Sequence, residues 1–161
     1  IDVTKSELAD NIETVPFQYD NGEHGNPNDG FVGSVSGSTS AGLGVYHGPI
    51  YKLAKQYADN VYDLTGSNFD TVVNKVEEGH PVWTITTTAF APVSDFESWD
   101  TPDGKIDVTY SEHSVCITGF DRDKRVIYVN DPYGYKNREV DWNDFAAAYK
   151  QMGKQAVYVT K

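Results

Sequence analysis

Cysteine is nearly absent from this chain: Cys116 is the only one in 161 residues. One thiol cannot form an intrachain disulfide, so disulfide frameworks and four-cysteine zinc sites are both excluded. Basic residues are few, 13 Lys and Arg against 24 Asp and Glu, and the net charge is −11. That field repels phosphate backbones and anionic lipid, which argues against nucleic-acid binding and membrane-surface docking. No apolar run reaches the roughly 18 residues of a membrane span, and no charged-then-apolar signal segment opens the chain. Phosphate loops, dinucleotide fingerprints and zinc motifs are missing as well, so no cofactor and no metal is expected.

What is present supports a packed globule. The hydrophobic fraction is 39% and the aromatic fraction 13%, too apolar for a disordered chain. The length fits one domain spanning residues 1–161, and no repeat or linker marks a boundary. The first residue is Ile1 rather than Met, which suggests a processed or trimmed chain.

Thr4 and Glu7 form a capping box that should start a short helix with Leu8, Ala9 and Ile12 on one side. Gly, Ser and Asn dominate from Pro16 to His47, a long loop of the kind that is functional or mobile. Gly48 and Pro49 begin a helix with Ile50, Leu53, Ala54 and Tyr57 at helical spacing. A short strand at Val61–Leu64 precedes a helix capped by Ser67, carrying Phe69, Val72, Val73 and Val76, and stopped by Gly79. A strand over His80–Thr88 follows. The segment from Ala89 to Gly104 has two prolines and reads as loop. Strands are then expected at Lys105–Tyr110, His113–Phe120, Arg125–Val129 and Arg138–Val140. Asp141 caps a helix over Asn143–Met152, and Ala156–Thr160 is the last strand. Helices first and a hairpin-connected antiparallel sheet afterwards indicate an α+β fold.

Two adjacent antiparallel strands joined by the turn at Asp121–Lys124 bring the start of one beside the end of the other. His113 and Asp131 should therefore meet at one sheet edge, where a carboxylate can fix the imidazole tautomer. Their other reading is a surface histidine near a turn aspartate. Cys116 is three positions from His113, so it faces the opposite way and lies roughly 10 Å along the strand. A general base works within about 3 Å of the proton it takes. Cys116 is thus expected to be a small packing residue rather than a nucleophile.

The segment from Asp20 to Gly30, with His24 and Asp29, is rich in oxygen donors. It lacks the alternating acids and closing Glu of a calcium loop and is read as turns. His47 and His80 have no metal-ligand spacing. Trp83, Tyr133 and Tyr135 either wall a peptide groove or serve the core and surface turns.

Four stretches together carry a resemblance: Gly25-Asn-Pro-Asn-Asp-Gly-Phe-Val-Gly33, Gly42-Leu-Gly-Val-Tyr46, Glu112-His-Ser-Val-Cys-Ile-Thr-Gly-Phe-Asp121, and Val129-Asn-Asp-Pro-Tyr-Gly134. In that order they resemble family thirty-nine of the cysteine peptidases. It includes bacteriocin-processing, double-glycine-leader peptidases and exported Gram-positive bacterial relatives with a papain-like fold. The resemblance implies that His113 is the general base, that Asp131 orients it, and that the loop carrying Phe31 borders the active site. It implies a peptide or protein substrate and a place outside the cell or at its surface. The chain departs from the pattern in one respect. The family's nucleophilic cysteine opens a long N-terminal helix after an oxyanion-hole Gln, and neither has a counterpart before Thr4. The resemblance then implies the larger, C-terminal part of a peptidase domain, inactive alone. Two other classes stay open: a peptide-binding or cell-surface module without the nucleophile, and an amide or acyl transferase using the same groups. An uncovered groove would favour self-association.

Overall fold

A computed structural model of the chain describes residues 2–37 and 41–161. Ile1, whose identity suggested processing, and part of the Gly- and Ser-rich stretch lie outside the described residues. The elements in order are α1 (Lys5–Asn11), β1 (Thr14–Val15), β2 (Phe31–Val32), α2 (His47–Lys55), β3 (Val61–Asp63), α3 (Phe69–Glu77), β4 (Val82–Thr87), β5 (Glu97–Thr101), β6 (Gly104–Val108), β7 (Glu112–Asp121), β8 (Val126–Asp131), β9 (Tyr135–Asp141), α4 (Trp142–Gln151) and β10 (Ala156–Val159). Mixed helices and antiparallel sheet make this an α+β fold. No helix among the described residues is long and apolar enough to cross a membrane.

The chain folds as two compact units, each built from two separate segments. Residues 1–59 and 95–110 form the first, and residues 60–94 and 111–161 the second. A boundary crossed by three chain passages leaves no single linker for sequence to reveal.

In the first unit α1 starts at the Thr4–Glu7 capping box. The Thr4 hydroxyl accepts the Glu7 N–H, and the Glu7 carboxylate accepts the Thr4 N–H, which satisfies two otherwise orphaned donors. Within the Gly-rich stretch β2 pairs in parallel with β1, which directly precedes that stretch. Gly33 follows β2 with φ +93, and a Cβ there would lie 2.5 Å from the Ala41 carbonyl. Only glycine fits that approach. The segment expected to be loop from Ala89 to Gly104 holds β5, paired with β6 as a hairpin. Trp99 on β5 is 3% exposed and packs with Val32 and Val108. A buried aromatic and a partner strand outweigh the weak strand propensity of Glu97-Ser-Trp-Asp-Thr101. The oxygen-rich Asp20–Gly30 segment is held by its own hydrogen bonds, and His24 stacks on Trp99 at 4.0 Å.

The second unit is a six-stranded antiparallel sheet in the order β3-β10-β4-β7-β8-β9. Helices α3 and α4 bury Phe69, Val72, Val73 and Val76, and Trp142, Phe145, Ala148 and Tyr149. All of these but Ala148 form one cluster with Val82, Val115, Ile117, Ile127 and Val129 of the sheet. The cap of α3 is Asn68, whose carbonyl accepts the Thr71 N–H, not Ser67. Asn68 is the better-placed acceptor because it immediately precedes the first helical residue. Asp141 caps α4 through the Asp144 N–H. Strand alternation makes the helix-covered face that of Val115 and Ile117. His113 lies on that face as well, two residues before Val115.

Candidate active site

β7 is buried at every second residue, His113, Val115 and Ile117, with Ser114 and Cys116 half-buried between them. The register with β4 sets His113 opposite Thr86 and Cys116 opposite Trp83. Three positions apart on one strand, the histidine and the cysteine point to opposite faces. Burial also pushes the Cys116 thiol above its ordinary value, which disfavours the thiolate a nucleophile needs. Its thiol donates a long hydrogen bond to the Ile117 carbonyl, at 3.9 Å.

β8 ends at Asp131, and the chain turns through Pro132 and Tyr133 to Gly134, whose φ is +100 and whose N–H donates to the Asp131 carbonyl. The turn places the Asp131 side chain, itself 0% exposed, against the imidazole of His113. His113 Nε2 lies 2.8 Å from Asp131 Oδ1. The Tyr133 N–H donates to the same oxygen at 3.0 Å, and Arg138 Nη1 donates to Oδ2 at 3.1 Å. Burial pushes the Asp131 carboxyl up. The Tyr133 amide, the His113 ring and the Arg138 guanidinium outweigh it, so the carboxyl sits below the ordinary carboxylate value. An ionised carboxylate only accepts. Nε2 therefore carries the proton, and Nδ1 is left as a lone pair without a hydrogen-bond partner among the described residues.

Aromatic rings enclose the imidazole. Tyr133 stacks on it with centroids 4.8 Å apart and planes 18° from parallel. Phe90 meets it edge-on at 5.9 Å. Tyr133 remains 71% exposed, so its outer face is open to a ligand. The structure thus brings together His113, Asp131 and Tyr133. It does not bring Trp83 to them. Expected in the same groove, Trp83 is on the opposite sheet face beside Cys116, because the register, unreadable from sequence, pairs Thr86 and not Trp83 with the histidine. Phe31 belongs to β2 in the first unit and is half-buried there.

Two neighbours were not visible in the sequence. Arg138 sits in a polar strand with nothing to single it out. Phe90 lies three residues beyond the end of β4 with φ +53, a conformation uncommon for a bulky side chain, and no local motif announces it.

Removing the carboxylate should unfold the domain more easily. Asp131→Ala strips partners from His113, Arg138 and the Tyr133 amide together. Breaking a buried charged pair costs about 3–5 kcal/mol. Arg138 is 39% exposed and regains water, so about 3 kcal/mol is expected, a fall in Tm of roughly 6–12 °C. Because the folded Asp131 titrates below its unfolded value, this stabilisation is present above the ordinary carboxylate range. It fades as pH drops through the folded value. Thermal melts of both proteins at pH 7 and pH 3 check it: the gap should shrink at pH 3.

The model of the Peptidase C39 like family matches residues 1–157. The chain belongs to this family. It is 54% identical over 161 residues to "Uncharacterized protein YvpB" of Bacillus subtilis (strain 168). That alignment takes in 99% of this chain but 63% of the relative, so the chain spans somewhat under two thirds of that protein's length. It also superposes on the crystal structure of a "putative C39-like peptidase" from Bacillus anthracis with a TM-score of 0.94 and 40% identity, covering 100% of this chain and 81% of that one. Membership makes this a peptidase-like domain of α+β fold, as the motifs around His113 and Asp131 implied.

Proposed function

We propose that this domain supplies the general base and its orienting carboxylate to a cysteine peptidase of papain-like design. The observation that carries the reading is the 2.8 Å contact between His113 Nε2 and Asp131 Oδ1, which leaves Nδ1 as the acceptor of a thiol proton. Cys116 faces away, so the thiol would come from a cysteine outside these 161 residues. That thiol passes its proton to Nδ1, and the thiolate attacks the peptide carbonyl carbon. Asp131 stabilises the imidazolium so formed. The imidazolium then protonates the leaving amine as the C–N bond breaks. Water, deprotonated by the regenerated imidazole, cleaves the thioester and releases the acid. Tyr133 offers an exposed aromatic face beside the reacting nitrogen, suited to a peptide side chain. Resemblance to exported relatives supports a place of work outside the cell or at its surface.

A thiol-directed electrophilic probe on a form of the protein that carries a cysteine besides Cys116 tests the reading. One cysteine other than Cys116 should be labelled. Labelling should weaken in His113→Ala and persist in Cys116→Ala. Labelling lost only with Cys116→Ala would overturn the assignment. A protein that resists the probe yet binds peptide would instead be a binding module.

A further inference from the structure

Asp131 has two oxygens, and only one is engaged by His113. The other is held by Arg138, which is itself confined. Its guanidinium carbon lies 4.8 Å from the centroid of Phe90 and 4.6 Å from that of Tyr135. A planar cation packed against two rings loses much of its freedom to turn. Phe90 joins both layers, since it meets Arg138 by its face and His113 by an edge contact at 5.9 Å. It holds this place at φ +53, a backbone cost that persists where the surroundings impose it.

We infer that Arg138 is a positioning residue: held against Phe90 and Tyr135, it pins the outer oxygen of Asp131 and so fixes the plane in which the inner oxygen meets Nε2 of His113. The imidazole then keeps one tautomer and one aim for Nδ1. Arginine is required rather than any cation. Lysine supplies charge but no flat surface to lie against rings and no planar donor to hold the carboxylate plane. The consequence for catalysis rests on the peptidase reading above, whereas the anchoring itself does not.

Nuclear magnetic resonance on the 161-residue chain separates the two. Carbon-detected titration follows the Asp131 carboxyl, and ring nitrogen shifts of His113 report its tautomer. In Arg138→Gln the Asp131 midpoint should rise by about one unit, and the Nε2–H share of the neutral ring should fall. Arg138→Lys should keep most of the low midpoint yet still blur the tautomer. Tyr135→Leu, at a side chain 55% exposed, keeps the charge and loosens that packing. It serves if Arg138→Gln does not fold, and it should mobilise the Arg138 side chain and blur the tautomer. An Asp131 midpoint and a tautomer unchanged in Arg138→Gln, or a tautomer unchanged in both other variants, would overturn the inference. These readouts need no thiol and no substrate. A domain without peptidase activity would still show them, and their absence would leave the peptidase reading to the thiol probe.

Discussion

On the proposed mechanism, in a form of the protein that carries the nucleophilic cysteine, His113→Ala should lower kcat for peptide hydrolysis by about 10³-fold, the range general-base catalysis contributes. The loss should fall on kcat rather than KM, since the imidazole acts on the proton in flight and not on bound peptide. Asp131→Asn should give a large part of the same loss. Its amide can present N–H to Nε2, which favours the tautomer with the proton on Nδ1, the wrong nitrogen. Cys116→Ser should leave turnover within about twofold of the natural protein, because its side chain lies on the sheet face away from His113. Steady-state kinetics on one peptide substrate with the three variants checks all of this. Equal losses in His113→Ala and Cys116→Ser would mean that the two side chains share a site, against the register of β7 on β4.

The second large effect concerns Glu112, next to the histidine but on the face of Cys116. Its Oε2 is buried with no hydrogen-bond partner among the described residues. Burial pushes its carboxyl up to about 8. The group is therefore a neutral acid in the folded domain over a range where the unfolded chain ionises it. Below the ordinary value of 4.5 both states are protonated, and the contribution is complete. Between pH 4.5 and about 8 only the folded state keeps the proton, so stability falls as pH rises, by roughly 1.4 kcal/mol per unit. The whole window amounts to several kcal/mol, an upper bound because structural relaxation hydrates a strained carboxylate. Glu112→Gln removes this slope. Denaturant unfolding should show the variant markedly more stable at pH 8 and near the natural chain at pH 5. A natural chain with no decline in stability from pH 5 to pH 8 would show that the carboxylate reaches water.

The pairing of His113 with Asp131 was legible because it needs only local facts: two strand-forming runs, a short Asp-rich turn and the period of two along a strand. The same period separated Cys116 from His113. It failed for Trp83 because placing a side chain beside a residue on another strand requires the register between β4 and β7. Composition does not set that register. Both faces of β4 carry apolar or β-branched residues, so neither is marked as outside. The caps of α1 and α4 were readable from side-chain chemistry, Thr4 with Glu7 and Asp141 before an apolar run. At α3 two polar residues, Ser67 and Asn68, compete, and only the backbone decides between them. β5 was hidden because its strand character comes from pairing with β6 and from burial of Trp99, not from its own residues. Arg138 and Phe90 act through contacts between distant segments of the second unit, which a linear pattern does not record. Membership in the family then ties the local pair to a peptidase-like domain without assigning its thiol.

The most direct test is the rate of alkylation of the proposed nucleophilic cysteine, in a form of the protein that carries it, followed against pH by mass spectrometry of the modified peptide. A thiol held by the Nδ1 lone pair of His113 should react at nearly full rate well below its ordinary range of about 8.5, and His113→Ala should return the profile to that range. Superimposable profiles for the natural protein and His113→Ala, or modification at Cys116 as the dominant product, would contradict the account.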